Sequence, residues 1–535
     1  MFPIWAAAAA LLAVLASAPF VEAGFNDDWG YAHIALNLAK TGHFYYGNLS
    51  VPTLLFQAYW GSALIHLFGF SFQLLRFSTL PFAMGCGVLC YRIARMAGLP
   101  APSALFASVA LVTSPLFTPL AASFMTDVYG CFFTLLAIYL GALAGRESLT
   151  ARKICLWLTA STVAGYVGGL DRQLVYIASG SVLLWAIWNW RREGTILITA
   201  VGLLAALCGG ALLVLQWQAQ QPDAMGMKIY TVSTWRKAAI FPGQAILTLA
   251  LLILPAIAGF GKARTTLRLY AISSASVAGG FTLYWRLGHH LLFPWMTNLI
   301  LPVGILPPGI EMRGSRPVVL GQEASILITV VVLAALVHLG AMLLGSFRMR
   351  VGDFLQAPAA VQLIGLFGAA YFVTLVFISR DEVFDRYLLP LLPIALIAIL
   401  LLNRTPALSN WIVLAIFALY GVATTHDYFS ELQARVTAFQ NLRAIGIEER
   451  HISGGVELDG WTQAKLKGKM FLPPKDAIPG PNEYWLARLT PAIDPHYMLS
   501  WSVEPGTALA SLPAVSFVTW LPPFRREVKI LVPEN

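Results

Sequence analysis

The sequence predicts an all-α polytopic membrane protein of about 13 transmembrane helices, with a long first outer loop carrying interfacial helices and a small C-terminal α/β extracytoplasmic domain. Three observations predict it. Of the 535 residues 58% are hydrophobic and only 11% are charged, far from the roughly 25% charged residues of a soluble domain. Apolar segments recur at about the length a helix needs to cross a bilayer, whereas a β-barrel would show alternating segments of roughly ten residues. Lys and Arg gather in short clusters between apolar segments, the positive-inside pattern, so the net charge of +9 reflects topology and no nucleic-acid partner is implied.

Taking about twenty apolar residues per span, helices are predicted near 3–20, 79–97, 102–121, 128–145, 154–169, 173–190, 195–216, 240–260, 269–287, 325–345, 360–379, 387–402 and 409–425. Alternate connections are basic: Arg92 and Arg95; Arg146, Arg152 and Lys153; Arg191 and Arg192; Lys262, Arg264 and Arg268; Arg348 and Arg350; Arg404. These face the cytoplasm and the other loops face out. Residues 1–20 read as a retained span, because the stretch before Ala16-Ser17-Ala18 lacks the basic n-region of a cleaved signal.

The outer loop 21–78 contains two amphipathic stretches, one with Ile34, Ala35, Leu38 and Ala39 on a single helical face and one over 54–70 rich in aromatic residues. Both read as helices lying in the membrane interface. The chain divides into a transmembrane domain, 1–425, and an extracytoplasmic domain, 426–535. In the latter, proline pairs and alternating runs such as Val515-Ser516-Phe517-Val518 and Val528-Lys529-Ile530-Leu531 read as mixed α/β structure beginning with a helix near 428–445.

The acids at the outer ends of spans are the candidates for chemistry, since ionisable groups at membrane depth are costly and tend to be functional. Asp27 and Asp28 follow the first span and Asp127 opens the fourth; each also suits a helix N-cap. Arg172, between two spans, either pairs with Asp171 or binds phosphate through its planar donor fork. Within the charged run Arg380, Asp381, Glu382, Asp385 and Arg386, the deepest residues Arg386 and Tyr387 suit an anionic head group, with Pro390 and Pro393 bending the chain nearby. Tyr230, Trp235, Arg236 and Lys237 read as an interfacial anchor. The five cysteines lie in or beside apolar segments, so no disulfide framework or zinc site is implied, and His33, His66, His289 and His290 lack metal-ligand spacing.

These residues resemble the glycosyltransferase C superfamily, in the branch of protein O-mannosyltransferases and lipid A aminoarabinose transferases. Asp27-Asp28-Trp29-Gly30-Tyr31 resembles its acidic motif after the first span, Thr126-Asp127 with Phe132-Phe133-Thr134-Leu135 its second acidic motif, Gly169-Leu170 with Arg172-Gln173 its glycine-then-basic motif, and Arg386-Tyr387 with Pro390 and Pro393 the segment before a late span. Its Lys-Pro-Pro type element is replaced by Val51-Pro52-Thr53. The resemblance implies inverting transfer of a sugar from a polyprenyl-phosphate donor to a lipid, glycan or protein acceptor on the outer face, in the inner membrane of a bacterium with the site and C-terminal domain facing the periplasm. Asp27 and Asp28 are then catalytic, Asp27 as general base, and Tyr31, Asp127, Arg172, Gln173, Arg386 and Tyr387 bind substrate. The resemblance assigns no certain cofactor and leaves a divalent metal ion possible. The competing reading is a polytopic transporter or lipid-carrier flippase, which predicts mid-helix ionisable residues and paired repeats.

Overall fold

The computed structural model describes residues 2–48, 52–224, 235–259, 266–287, 291–306, 312–346, 351–378, 384–402, 405–470, 486 and 489–534. Val51, Tyr230, Lys262, Arg264, His289, His290, Arg348, Arg350, Arg380, Asp381, Glu382 and Arg404 lie outside the described residues, as do the side chains of Trp235, Arg236 and Lys237.

A helix or helix pair lies on every predicted span. Six helices are long and apolar enough to cross a bilayer: Phe72–Met96, Thr126–Ala144, Gly194–Gln220, Gln322–Gly345, Ala359–Val376 and Leu408–Ala444. Four shorter apolar helices, Phe2–Ala16, Ala101–Val112, Ile240–Leu252 and Leu391–Leu402, occupy further predicted spans. The other three predicted spans, Ala151–Gly169, Tyr176–Asn189 and Leu267–Arg286, are helical but fall outside both groups. Prolines mark the interruptions. The stretch 102–121 splits at Pro115 into Ala101–Val112 and Phe117–Ala121, because proline removes an amide donor and crowds the preceding turn. Gly421 of the last long helix admits that break, since a Cβ there would stand 3.0 Å from the Pro115 Cα.

The segment 21–78 forms helices Asp28–Thr41 and Leu55–Phe68, as expected, but the first of them does not lie open to lipid. Trp29, Ile34, Ala35 and Leu38 are buried. A Cβ added at Gly61 of the second helix would stand 3.0 Å from the Ala35 methyl, and one at Gly460 of the C-terminal helix Val456–Lys467 would meet the Trp29 ring. Protein therefore covers the face that composition assigned to the membrane. The second helix keeps exposed apolar residues, with Tyr59, Leu67 and Phe68 on the surface.

The helix Leu408–Ala444 has 37 residues, about 55 Å of rise, and runs unbroken through residues 425 and 426. Its C-terminal half carries a small sheet: β1 (Ile452–Ser453), β2 (Tyr497–Ser500), β3 (Thr507–Leu509), β4 (Val515–Val518) and β5 (Arg525–Pro533). β1 pairs parallel with β2, and β2, β3 and β4 each pair antiparallel with the long β5. Val528, Ile530 and Leu499 pack on Ala434, Ala438, Phe439 and Leu442 as a second core. The loop after the ninth predicted span leans on this domain, with the Trp501 amide donating to the Arg313 carbonyl at 2.9 Å and Arg316 paired with buried Glu431 at 3.1 Å.

Candidate active site

Asp27 occupies the N-cap position of the Asp28–Thr41 helix yet makes no side-chain cap hydrogen bond. Its carboxylate instead accepts from Arg386 Nη2 at 3.2 Å. Arg386 stands in the short turn Asp385–Leu388, which hydrogen bonds from two other segments hold. The Asp385 carboxylate accepts the amides of Leu299 and Ile300 at 2.9 and 2.8 Å, and the Tyr371 hydroxyl donates to the Tyr387 carbonyl at 2.9 Å.

A second ion pair joins Asp127 to Arg172. Asp127 opens the Thr126–Ala144 helix, and Gly130 one turn later gives Arg172 room, a Cβ there lying 3.2 Å from the Arg172 Cδ. Gly168 and Gly169 let the preceding helix approach so closely that added Cβ atoms would stand 2.4 Å from Phe133 and 2.2 Å from Tyr176. The Arg172 guanidinium lies over the Tyr387 ring at 4.9 Å, a cation–π contact. Asp127 and Asp27 are the two strongest opposite charges around Arg386, so the two pairs form one cluster. Tyr31 completes it: burial first, then the Asp27 carboxylate, pushes its phenol well above the ordinary range.

The three acids are used differently. Asp127 and Asp28 are enclosed, whereas 34% of the Asp27 side chain is exposed. Both Asp28 oxygens are occupied by amides, of Phe25 at 2.5 Å and Phe124 at 3.0 Å, which ties the Asp27 turn to the segment leading into Asp127. Burial pushes the Asp28 carboxyl up to about 6 against the pull of Arg76 and the two amides. Arg76 stitches the same turn by donating to the carbonyls of Pro19, Val21 and Ala23 at 2.7–2.9 Å.

Asp27, Tyr31, Asp127, Arg172, Arg386 and Tyr387 thus meet, while Gln173 points elsewhere. Its amide donates to Gln218 at 3.2 Å, and Gln218 donates to the Pro52 carbonyl at 3.4 Å. Arg172 pairs with Asp127 and not with Asp171. The sequence reading omitted Tyr371 and named Asp385 only within a charged run, without a role in positioning Arg386; a tyrosine among the apolar residues of a span was the available signal for the first.

Beside the cluster, an apolar cleft of about 920 Å³ opens between the first-loop helix Leu55–Phe68 and two spans, with Phe56, Trp60, Leu170, Leu213, Val214 and Trp217 among its walls. Leu170 of its wall lies two residues before Arg172, and its carbonyl accepts the Leu55 amide at 2.9 Å, which ties this wall to the segment that carries Arg172. Among the described residues one group of potential metal ligands lies close together, His451, Asp494 and His496, away from this site on the C-terminal domain. Its imidazoles stack at 4.1 Å and 15°, so their in-plane lone pairs run side by side and do not converge on an ion.

No protein-family model matches this chain, and no curated protein matches it. Among solved structures it is similar to ArnT from Cupriavidus metallidurans, at 13% identity over 98% of this chain and 97% of that one, with a TM-score of 0.43. It is similar to the Archaeoglobus fulgidus oligosaccharyltransferase, at 13% identity over 92% of this chain and 61% of that one, TM-score 0.41. It is also similar to the S. cerevisiae protein O-mannosyltransferase Pmt1-Pmt2 complex, at 16% identity over 41% of this chain and 33% of that one, TM-score 0.33. All three scores lie below 0.5.

Proposed function

We propose that this protein is a membrane glycosyltransferase that moves a sugar from a polyprenyl-phosphate carrier to an acceptor hydroxyl or amine on the extracytoplasmic side. The observation that carries the reading is the state of Arg386. It is buried, one of its nitrogens holds the accessible carboxylate Asp27, and its Nε and Nη1 have no hydrogen-bond partner among the described residues. A buried donor left unsatisfied costs about 1–3 kcal/mol or more when charged, so this guanidinium is built to receive a further anion. A phosphate fits its fork.

In the proposed reaction the acceptor oxygen or nitrogen attacks the anomeric carbon while its proton passes to Asp27. The carbon–oxygen bond to the phosphate breaks on the opposite face, the electron pair leaves with the polyprenyl phosphate, and configuration inverts. Arg386 and Arg172 neutralise the charge that grows on the leaving oxygen, an effect worth a few kcal/mol in a dry, preorganised site. Asp127 holds Arg172 in place, Asp28 fixes the turn that presents Asp27, and Tyr31 and Tyr387 line the head-group end. The apolar cleft accepts the polyprenyl tail, with Gln173 and Gln218 steadying one wall.

The test is transfer from a panel of radiolabelled polyprenyl-phosphate sugars in membrane extracts, wild type against Asp27→Asn, with lipid, glycan and protein fractions counted separately. Label in one fraction from wild type alone supports the reading and names the acceptor class. Equal counts from both samples with every donor overturn it.

A further inference from the structure

The β4–β5 hairpin ends in Thr519-Trp520-Leu521-Pro522-Pro523-Phe524, and its apolar side chains point outward. Val518 is 61% exposed, Trp520 49% and Phe524 61%. The tip is held rigid by its own hydrogen bonds: Thr519 Oγ1 donates to the carbonyls of Leu521 and Pro523 at 2.9 and 2.6 Å, and Arg526 Nη2 donates to that of Pro522 at 3.0 Å. Apolar residues clustered on a preformed surface tip mark an interaction site.

Its position identifies the partner. The sheet packs on Ala434, Ala438, Phe439 and Leu442 of the long helix, but the tip reaches back along that helix to residues 426 and 427. There the amides of Trp520 and Leu521 donate to the Asp427 carboxylate at 2.6 and 3.0 Å, and the Trp520 indole stacks on His426 at 4.3 Å. The hairpin therefore points toward the bilayer-crossing half of the helix. That half carries an exposed apolar stripe, Leu408, Ile412, Ile416 and Leu419, the face a span turns to lipid. Residue 426 follows Leu419 by seven positions, two turns along the same face, which puts the Trp520 stack about 10 Å beyond the last exposed leucine. This is the depth of lipid head groups, where Trp is enriched. Exposed Arg525 at the same tip adds a cation for lipid phosphate.

We propose that residues 518–525 are a membrane-interface anchor, which seats the C-terminal domain on the bilayer with Trp520 and Phe524 among the head groups. The experiment places an environment-sensitive NBD label on Phe524→Cys in a Cys208→Ser background, which removes the exposed free cysteine. The full chain is reconstituted in nanodiscs of phosphatidylcholine and phosphatidylglycerol. The control label sits on Leu509→Cys, 60% exposed on β3, which pairs with the far end of β5, about 20 Å from the tip at strand rise. The label at 524 is expected to be quenched at least about twofold more by shallow nitroxide lipids than the label at 509, and to be shielded from aqueous iodide. Equal behaviour of the two labels, in either direction, overturns the proposal.

Discussion

Asp27 and Arg386 stand 359 positions apart in the chain and meet at 3.2 Å, where the partly exposed carboxylate accepts from a buried guanidinium whose Nε and Nη1 have no hydrogen-bond partner among the described residues. Replacing Asp27 by Asn keeps the shape and removes the proposed proton acceptor. General-base catalysis contributes about 10²- to 10⁴-fold, so transfer should fall by at least about 100-fold while equilibrium binding of the lipid-linked donor is kept. Initial rates and binding of labelled donor, compared in one preparation, check this; full activity in the variant would remove Asp27 from the mechanism.

Arg386→Lys keeps the charge but loses the fork, so one ammonium must choose between Asp27 and the proposed donor phosphate. Turnover should drop by about 100-fold, the scale of losing one donor to the charge that develops in the transition state. The decisive readout is kcat with saturating donor, because a change confined to KM would make Arg386 a ground-state anchor only.

Arg172→Gln takes the direct ion-pair partner from Asp127, whose side chain is 1% exposed, and leaves it only the charge of Arg386, so the cost should be at most about 3–5 kcal/mol, the scale for a broken buried pair. The double variant Asp127→Asn, Arg172→Gln removes both charges and should recover much of that loss. Thermal unfolding in detergent for the four members of the cycle measures the coupling; strictly additive effects would show that the pair does not interact.

Much of this arrangement is legible in the sequence, and what is not has a physical cause. Hydropathy locates the helical spans because a bilayer imposes length and apolarity together. It also locates Asp27, Asp28, Asp127, Arg172 and Arg386 as charges at span ends. It cannot divide labour between Asp27 and Asp28, since that depends on the Phe124 amide and on Arg386, both remote in sequence. The burial of the Asp28–Thr41 helix was hidden for the same reason: its apolar face meets Val456–Lys467, and composition does not say whether lipid or protein covers an apolar stripe. The polarity change near residue 426 likewise says nothing of helix continuity, because the helix carries on with residues of adequate propensity.

Asp459, in the C-terminal domain, accepts from the Gly454 amide and the Ser453 hydroxyl at 2.7 and 2.8 Å, and burial pushes its carboxyl up to about 7. The folded protein therefore holds this proton more tightly than the unfolded chain, whose value is about 3.9. The contribution of Asp459 to stability is most favourable below pH of about 4, falls as pH rises towards about 7, and is flat above. Asp459→Asn cannot titrate, so the stability of wild type relative to the variant should decline through that window at no more than about 1.4 kcal/mol per pH unit. Denaturation of both at several pH values tests it, and parallel curves would contradict the assignment.

The apolar cleft gives a prediction that separates tail binding from chemistry. Ala63 lines it from the Leu55–Phe68 helix and is exposed, so Ala63→Trp fills space without disturbing a packed core. If the polyprenyl tail lies there, KM for a long-chain donor should rise several-fold with kcat nearly unchanged, and a donor with a short, water-soluble chain should be handled as by wild type. The contrast between the two donors is the measurement. An equal effect on both would place the substitution's influence at the head-group cluster, and no effect on either would show that the tail runs elsewhere.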